Sequence, residues 1–252
     1  IASADTAAVA RGAVLEFSDG TYSIGSNITI ASPIRLNGAK LKPASGVTVT
    51  LNGDIDAQDK QIFDVSAGGT IAGFGSMGSV VFMSWWGGIG NGSTDNQPYL
   101  AAAIAYLKQR SLAGAAGGTI QLGIGKFVFN SGVTIDFSGI TIRGVNDEST
   151  VILKNGTFDL FTVNGAVNGT GASYGIHFQH MYIQSVASKP TSGKMIYFNK
   201  TQEFSVSYIK FLYPYRAIDC FACGGPLVKT INHCSFIAPS TLPSVSGSAL
   251  IA

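Results

Sequence analysis

Residues 86–104 read WGGIGNGSTDNQPYLAAAI. Gly87, Gly88, Gly90 and Gly92 permit the positive φ angles of a tight loop, and Ser93, Thr94, Asp95 and Asn96 carry the short polar side chains that accept hydrogen bonds from free amides at a helix start. Pro98 suits a first helical turn, where no N–H is needed. From there Tyr99, Leu100, Ala103, Ile104 and Leu107 recur at helical spacing, with Lys108 and Arg110 where cations favour a helix C-terminus. The pattern predicts a short amphipathic helix over about residues 97–109. A glycine-rich turn, an acidic helix start and an alanine-rich helix ahead of strand-like sequence mark the capped end of a stack of β-coils.

The segment resembles the motif W-F-G-A-x-G-D-G-x-x-D-D-T-x-A-I-x-x-A-I that opens right-handed parallel β-helices of the pectate-lyase-like superfamily. It is similar at Trp86, Gly88, Gly90, Gly92, Asp95, Ala102 or Ala103, and Ile104, and departs at Asn91, Asn96 and Pro98, where the family has Asp, Asp and Ala. In that superfamily the motif is structural. The resemblance therefore implies an all-β chain, a right-handed parallel β-helix (solenoid) with a short capping α-helix and a small β-rich N-terminal unit.

Composition agrees with strands and turns. Only 12% of the 252 residues are charged, 46% are hydrophobic and 32 are glycine, a mixture that suits strand-and-turn architecture better than a helical bundle. A net charge of +2 without a basic run gives nucleic acid nothing to bind. No apolar stretch approaches the roughly 18 residues of a membrane span, and IASADTAAVARG lacks the pattern of a signal peptide. Three cysteines exclude a closed disulfide framework. Cys220 and Cys223 form a lone CxxC without partner spacing for zinc, and are read as small buried hydrophobes. No metal and no cofactor is expected.

The chain repeats itself. Residues 12–38 resemble 117–144: Gly20 matches Gly125, Tyr22 matches Phe127, Ile28 matches Val133 and Ile30 matches Ile135, at an offset of 125 − 20 = 105. One inserted residue then aligns Ile34 with Ile140, Leu36 with Ile142 and Gly38 with Gly144. Both copies alternate apolar and small polar residues, as half-buried strands do. Asp5, Thr6 and the AAVA at 7–10 read as a clipped copy of the helix start. These features divide the chain into residues 1–85, a small β-rich unit for attachment or capping, and 86–252, the capping helix and first coils of a parallel β-helix. Trp85 and Trp86 are assigned to packing at the junction rather than to sugar stacking. Downstream, apolar-x-x-apolar-x-apolar recurs at Phe178, Met181, Ile183, at Val206, Ile209, Phe211 and at Ile231, Cys234, Phe236, one coil apart (206 − 178 = 28; 231 − 206 = 25). Phe178, Val206 and Ile231 are expected in one core row, with His180 and His233 as stacked corner residues. GSALIA at 247–252 resembles GKMIYF at 193–198, the start of another coil, so a longer protein is expected, truncated here at its C-terminus.

Enzymes of this superfamily cut polysaccharides with paired carboxylates or with a base that abstracts a proton. Glu203 and Asp219 are the catalytic candidates, since they fall on successive coils where a pair can face one groove. Asp147 and Glu148 sit in the turn GVNDEST and are read as structural, Asp159 as solvent-facing, and His177 as a surface histidine with a base as its alternative. Residues 62–88 also resemble the preamble of many phage tail proteins. The resemblance implies a bacteriophage tailspike, a homotrimer located in the virion tail, attached to phage tail or baseplate proteins, that binds and depolymerises a bacterial surface polysaccharide (capsule or O-antigen). The alternatives are a secreted, extracellular bacterial polysaccharide lyase or hydrolase, and a non-enzymatic glycan-binding or structural spike.

Overall fold

A computed structural model describes residues 1–73, 80–112, 117–165, 173–187, 190–224 and 228–237. The GSALIA segment lies outside these residues. The chain is all-β, 49% strand against 14% helix, and its strands form several separate sheets with a half-barrel curl. Among the described residues every strand pair is parallel.

Helix α1 (Ala2–Arg11) stops at Gly12, whose φ of 60° lets its amide turn back to Ala8 and Val9 carbonyls. The buried Asp5 ties this helix to the sheet. Its carboxylate accepts the Ala31 and Ser32 N–H groups at 3.1 and 2.9 Å and the Ser32 hydroxyl at 2.6 Å. Burial pushes its pKa up, but these hydrogen bonds outweigh it and hold the carboxyl below its usual range.

The next strands are β1 (Leu15–Phe17), β2 (Gly20–Ile24), β3 (Ile28–Ile30), β4 (Ile34–Leu36), β5 (Ala39–Pro43), β6 (Thr48–Leu51), β7 (Ile55–Ala57) and β8 (Thr70–Gly73). They rotate among three sheets in the order of the chain: β1, β4 and β7 form one, β2 and β5 a second, β3, β6 and β8 a third. A bridge from Leu41 to Phe63 extends the second. Alternating residues, Ile30, Ile34, Leu36, Leu41, Val49 and Leu51, are at most 1% exposed and form the core.

Strand β9 (Val80–Phe82) leads into a 3-10 turn over Met83–Trp86, then β10 (Asn91–Asp95) and α2 (Gln97–Leu112). Part of the segment read as a loop is thus a short strand, because Asn91 and Asp95 pair with Lys126 and Val128. The helix covers the expected span and runs three residues beyond it. Asp95 accepts the N–H groups of Gln97 and Asn130 at 3.1 and 3.2 Å. Asn96 is fully buried and faces back into the turn: its amide donates to the carbonyls of Ile89 and Thr94 and its oxygen accepts the Ile89 N–H. An aspartate there has no proton for either carbonyl, so this turn requires the amide. Trp85 and Trp86 are 3% and 2% exposed. Trp86 packs between Phe63 and Tyr106, with ring centroids 5.2 and 5.5 Å away, as the packing assignment requires.

The second copy of the repeat gives β11 (Gly118–Gln121), β12 (Gly125–Phe129), β13 (Val133–Ile135) and β14 (Ile140–Arg143), at the positions matched to β1 through β4. There follow β15 (Thr150–Lys154), β16 (Phe161–Asn164), β17 (Ile176–Ser185), β18 (Lys194–Asn199), β19 (Phe204–Leu212), β20 (Arg216–Phe221), β21 (Lys229–Asn232) and β22 (Ser235–Ile237). Strands β13, β16, β18 and β20 form a four-stranded sheet, and the others join β9 and β10 in a ten-stranded sheet. β9 lies before residue 86, yet it pairs with β11.

The expected core row is present and longer than predicted. Registration aligns Val81, Ile120, Ile142, Phe178, Val206 and Ile231 across six strands; the first five are fully buried. β17 and β19 bend at His180 and Tyr208, and beyond the bend Ile152, Ile183, Phe211 and Phe236 form a second row.

Candidate functional site

The residues between these core positions make the outer face of the ten-stranded sheet. One row is Thr119, Thr141, His177, Ser205 and Thr230; the next is Phe82, Gln121, Arg143, Gln179, Ser207 and Asn232. Such polar rows follow from the period of two along each strand. In the first row, His177 Nδ1 and Ser205 Oγ are 2.8 Å apart. Sequence reading considered His177 and missed Ser205, although the two are separated by one coil spacing.

At the bend, His180, Tyr208 and His233 adopt φ of 56°, 54° and 50°. This left-handed conformation turns each chain at the same register position, so the three rings stack. Centroids are 4.8 and 4.6 Å apart with planes 7° from parallel. The two expected corner histidines are therefore joined by a tyrosine into a column.

Next to the column lies an open groove of about 740 Å³, lined by residues that include Asp59, Phe82, Gln121, Arg143, Gly144 and His180. Gln121 clamps Arg143 from the adjoining strand: its Oε1 accepts Arg143 Nε–H at 2.9 Å and its Nε2 donates to the Arg143 carbonyl at 3.2 Å. Asp59 accepts the Ser84 hydroxyl. The wall at 144–149 is an Asx turn on Asn146, pinned by Asp147 and Glu148, which pair with Lys210 at 3.2 and 3.1 Å.

The carboxylates chosen from sequence stand apart, Asp219 on a strand of the four-stranded sheet and Glu203 in the turn that precedes β19 of the ten-stranded sheet. Asp219 is on β20, where Arg216 and Lys194 approach it at 2.9 and 3.2 Å. Burial raises its pKa and those cations more than reverse the effect, leaving it below the usual range. Lys194 also approaches Asp159 at 3.7 Å and lies 3.3 Å from the Tyr197 ring centre. Asp159 therefore belongs to this ion-pair network rather than standing free in solvent. Glu203 lies half-buried in the corner leading into β19, where its carbonyl accepts the Ile176 N–H. Among the described residues no hydrogen bond or ion pair joins Glu203 to Asp219.

All three cysteines are free and half-buried. The Cys223 thiol donates to the Phe198 carbonyl and that of Cys234 to Val206. Burial, with Cys223 beside it, pushes Cys220 up to about 12. The described residues hold no cluster of three or more His, Cys, Asp or Glu side chains able to bind a metal, and no helix among them is long and apolar enough to cross a membrane. A scan of protein families and searches of curated proteins and of solved structures each found no match to this chain.

Proposed function

We propose that the chain is a right-handed parallel β-helix of the tailspike kind, part of a homotrimer that binds and depolymerises a bacterial surface polysaccharide, with residues 1–85 serving attachment or capping. The rotation of strands among three sheets, and the in-register rows that follow, support the solenoid reading. The observation that carries the function is the outer sheet face. Five strands carry Thr119, Thr141, His177, Ser205 and Thr230 in line, a strip about 20 Å long at the usual strand spacing. Hydroxyls and an imidazole in a row, with a second polar row and then the aromatic column beside them, suit an extended sugar chain.

A purely binding spike is the second reading. It is favoured by the ion pairs that occupy Asp219, since a carboxylate held below its usual range is a poor proton donor. Incubation of the full-length protein with purified capsule or O-antigen, followed by size-exclusion chromatography, separates the two. Shortened chains are expected of a depolymerase, retention without shortening of a binding spike. Neither retention nor shortening on any surface polysaccharide refutes the glycan reading, and a monomer in light scattering refutes the trimer.

A further inference from the structure

We infer that the groove beside the aromatic column is a subsite for a carboxylate-bearing sugar, with Arg143 as its anion clamp and His180 as its stacking platform. The inference rests on the glycan reading above and names the sugar chemistry of one part of that face.

The column has two inner contacts and two ends. Tyr208 is covered on both faces, by His180 and His233, so its ring can offer only an edge. His180 is different. The residue preceding it in the ladder is Gly144, which follows Arg143, the partner of Gln179. Without a side chain Gly144 cannot add a fourth ring, and both residues line the groove. Nor can Gly144 be replaced: a Cβ there would stand 2.1 Å from the His180 carbonyl oxygen. The glycine is required by the close approach of the two strands, and it leaves no side chain at that ladder position to stack on the imidazole, which lines the groove.

Arg143 supplies the charge. Gln121 holds the Nε side of the guanidinium and the main chain of the same residue, so the planar group is fixed at its base. Its two terminal nitrogens make no hydrogen bond or ion pair among the described residues. A fixed guanidinium offering paired N–H donors matches the two oxygens of a carboxylate. Phe82 adds apolar floor, and Asp59, engaged by Ser84, retains acceptor capacity for sugar hydroxyls. An apolar face, hydroxyls and one carboxylate are the features of a uronic acid or a pyruvate-ketal hexose.

The test is saturation-transfer and line-broadening NMR on the intact chain with methyl β-glucuronide, its methyl ester and methyl β-glucoside, which share a ring and differ in charge. The free acid is expected to bind about tenfold or more tighter than the other two, the effect of a hydrogen bond to a charged group. Arg143→Gln should abolish that preference. His180→Asn, which keeps a residue tolerant of positive φ, should weaken all three alike. Equal binding of acid and ester, or a preference that survives Arg143→Gln, overturns the proposal and leaves the glycan reading intact. Binding of none of the three overturns it as well; the glycan reading falls with it only if capsule and O-antigen also fail to bind.

Discussion

Replacing Val206 by aspartate tests the coil register at its centre. Val206 is fully buried and lies in register between Phe178 and Ile231, so the new carboxylate has apolar neighbours on both adjoining strands and no partner. Even after relaxation, burying an unpaired ion costs several kcal/mol, comparable with a whole domain's stability of about 5–15 kcal/mol. Val206→Ala, by contrast, removes two methylene equivalents, about 1.6 kcal/mol at 0.8 kcal/mol each, plus a cavity term. The aspartate variant should therefore be largely unfolded at pH 7 and the alanine variant folded but weaker. Protonation supplies an internal check. An acid whose folded pKa lies above its unfolded value loses stability as pH rises from about 4 towards the folded value, by about 1.4 kcal/mol per pH unit. The deficit of Val206→Asp relative to the parent should then be smallest below pH 4. Urea melts followed by fluorescence of the buried Trp85 and Trp86 measure both. Ser205→Asp, one residue away on the outer face, should cost far less. A Val206→Asp melt superimposable on the parent at pH 7, or equal damage from the two aspartates, refutes the register.

Three further outcomes are expected. Asn96→Asp should destabilise by at least about 2 kcal/mol in urea, because it leaves the Ile89 and Thr94 carbonyls without donors, whereas Asp95→Ala should cost about 0.5–2 kcal/mol as a lost helix cap; an unchanged Asn96→Asp midpoint contradicts the hydrogen bonding of the turn. Asp64, lowered to about 2 by Lys42 and Ser66, should contribute stability that is present above pH 4 and lost as pH falls towards 2. Asp64→Asn should remove that acid dependence, and a parental pH profile in the variant would show that Asp64 is not its source. Cys220, pushed up to about 12, should be only about one part in ten thousand thiolate at pH 8, so mass spectrometry should find it alkylated far more slowly than a small free thiol; rapid labelling contradicts its burial.

The repeat and its strands are legible in the amino-acid order. Glycine positions, the period of two and the 105-residue offset place β11 through β14 opposite β1 through β4, and the spacing of Phe178, Val206 and Ile231 predicts their common row. These are local patterns repeated along the chain, each carried by the residues of one strand and the turn beside it. The helix start was legible for the same reason, since caps act within a few residues. Contacts between strands distant in sequence are not legible in this way. The coil spacings near Arg143 and Gln121 differ from those near His177 and Ser205, so no single period reveals either pair. Glu203 and Asp219 are 16 residues apart (219 − 203 = 16), less than the 25 that separate Val206 from its registered partner Ile231 (231 − 206 = 25), so they fall within one repeat rather than on successive ones, Glu203 in the turn before β19 and Asp219 on β20 of another sheet. The ladder position beside His180 is held by a glycine 36 residues earlier (180 − 144 = 36), and the groove draws on β9, β11, β14 and β17 together. A surface formed by four strands follows from registration, which only the folded chain sets.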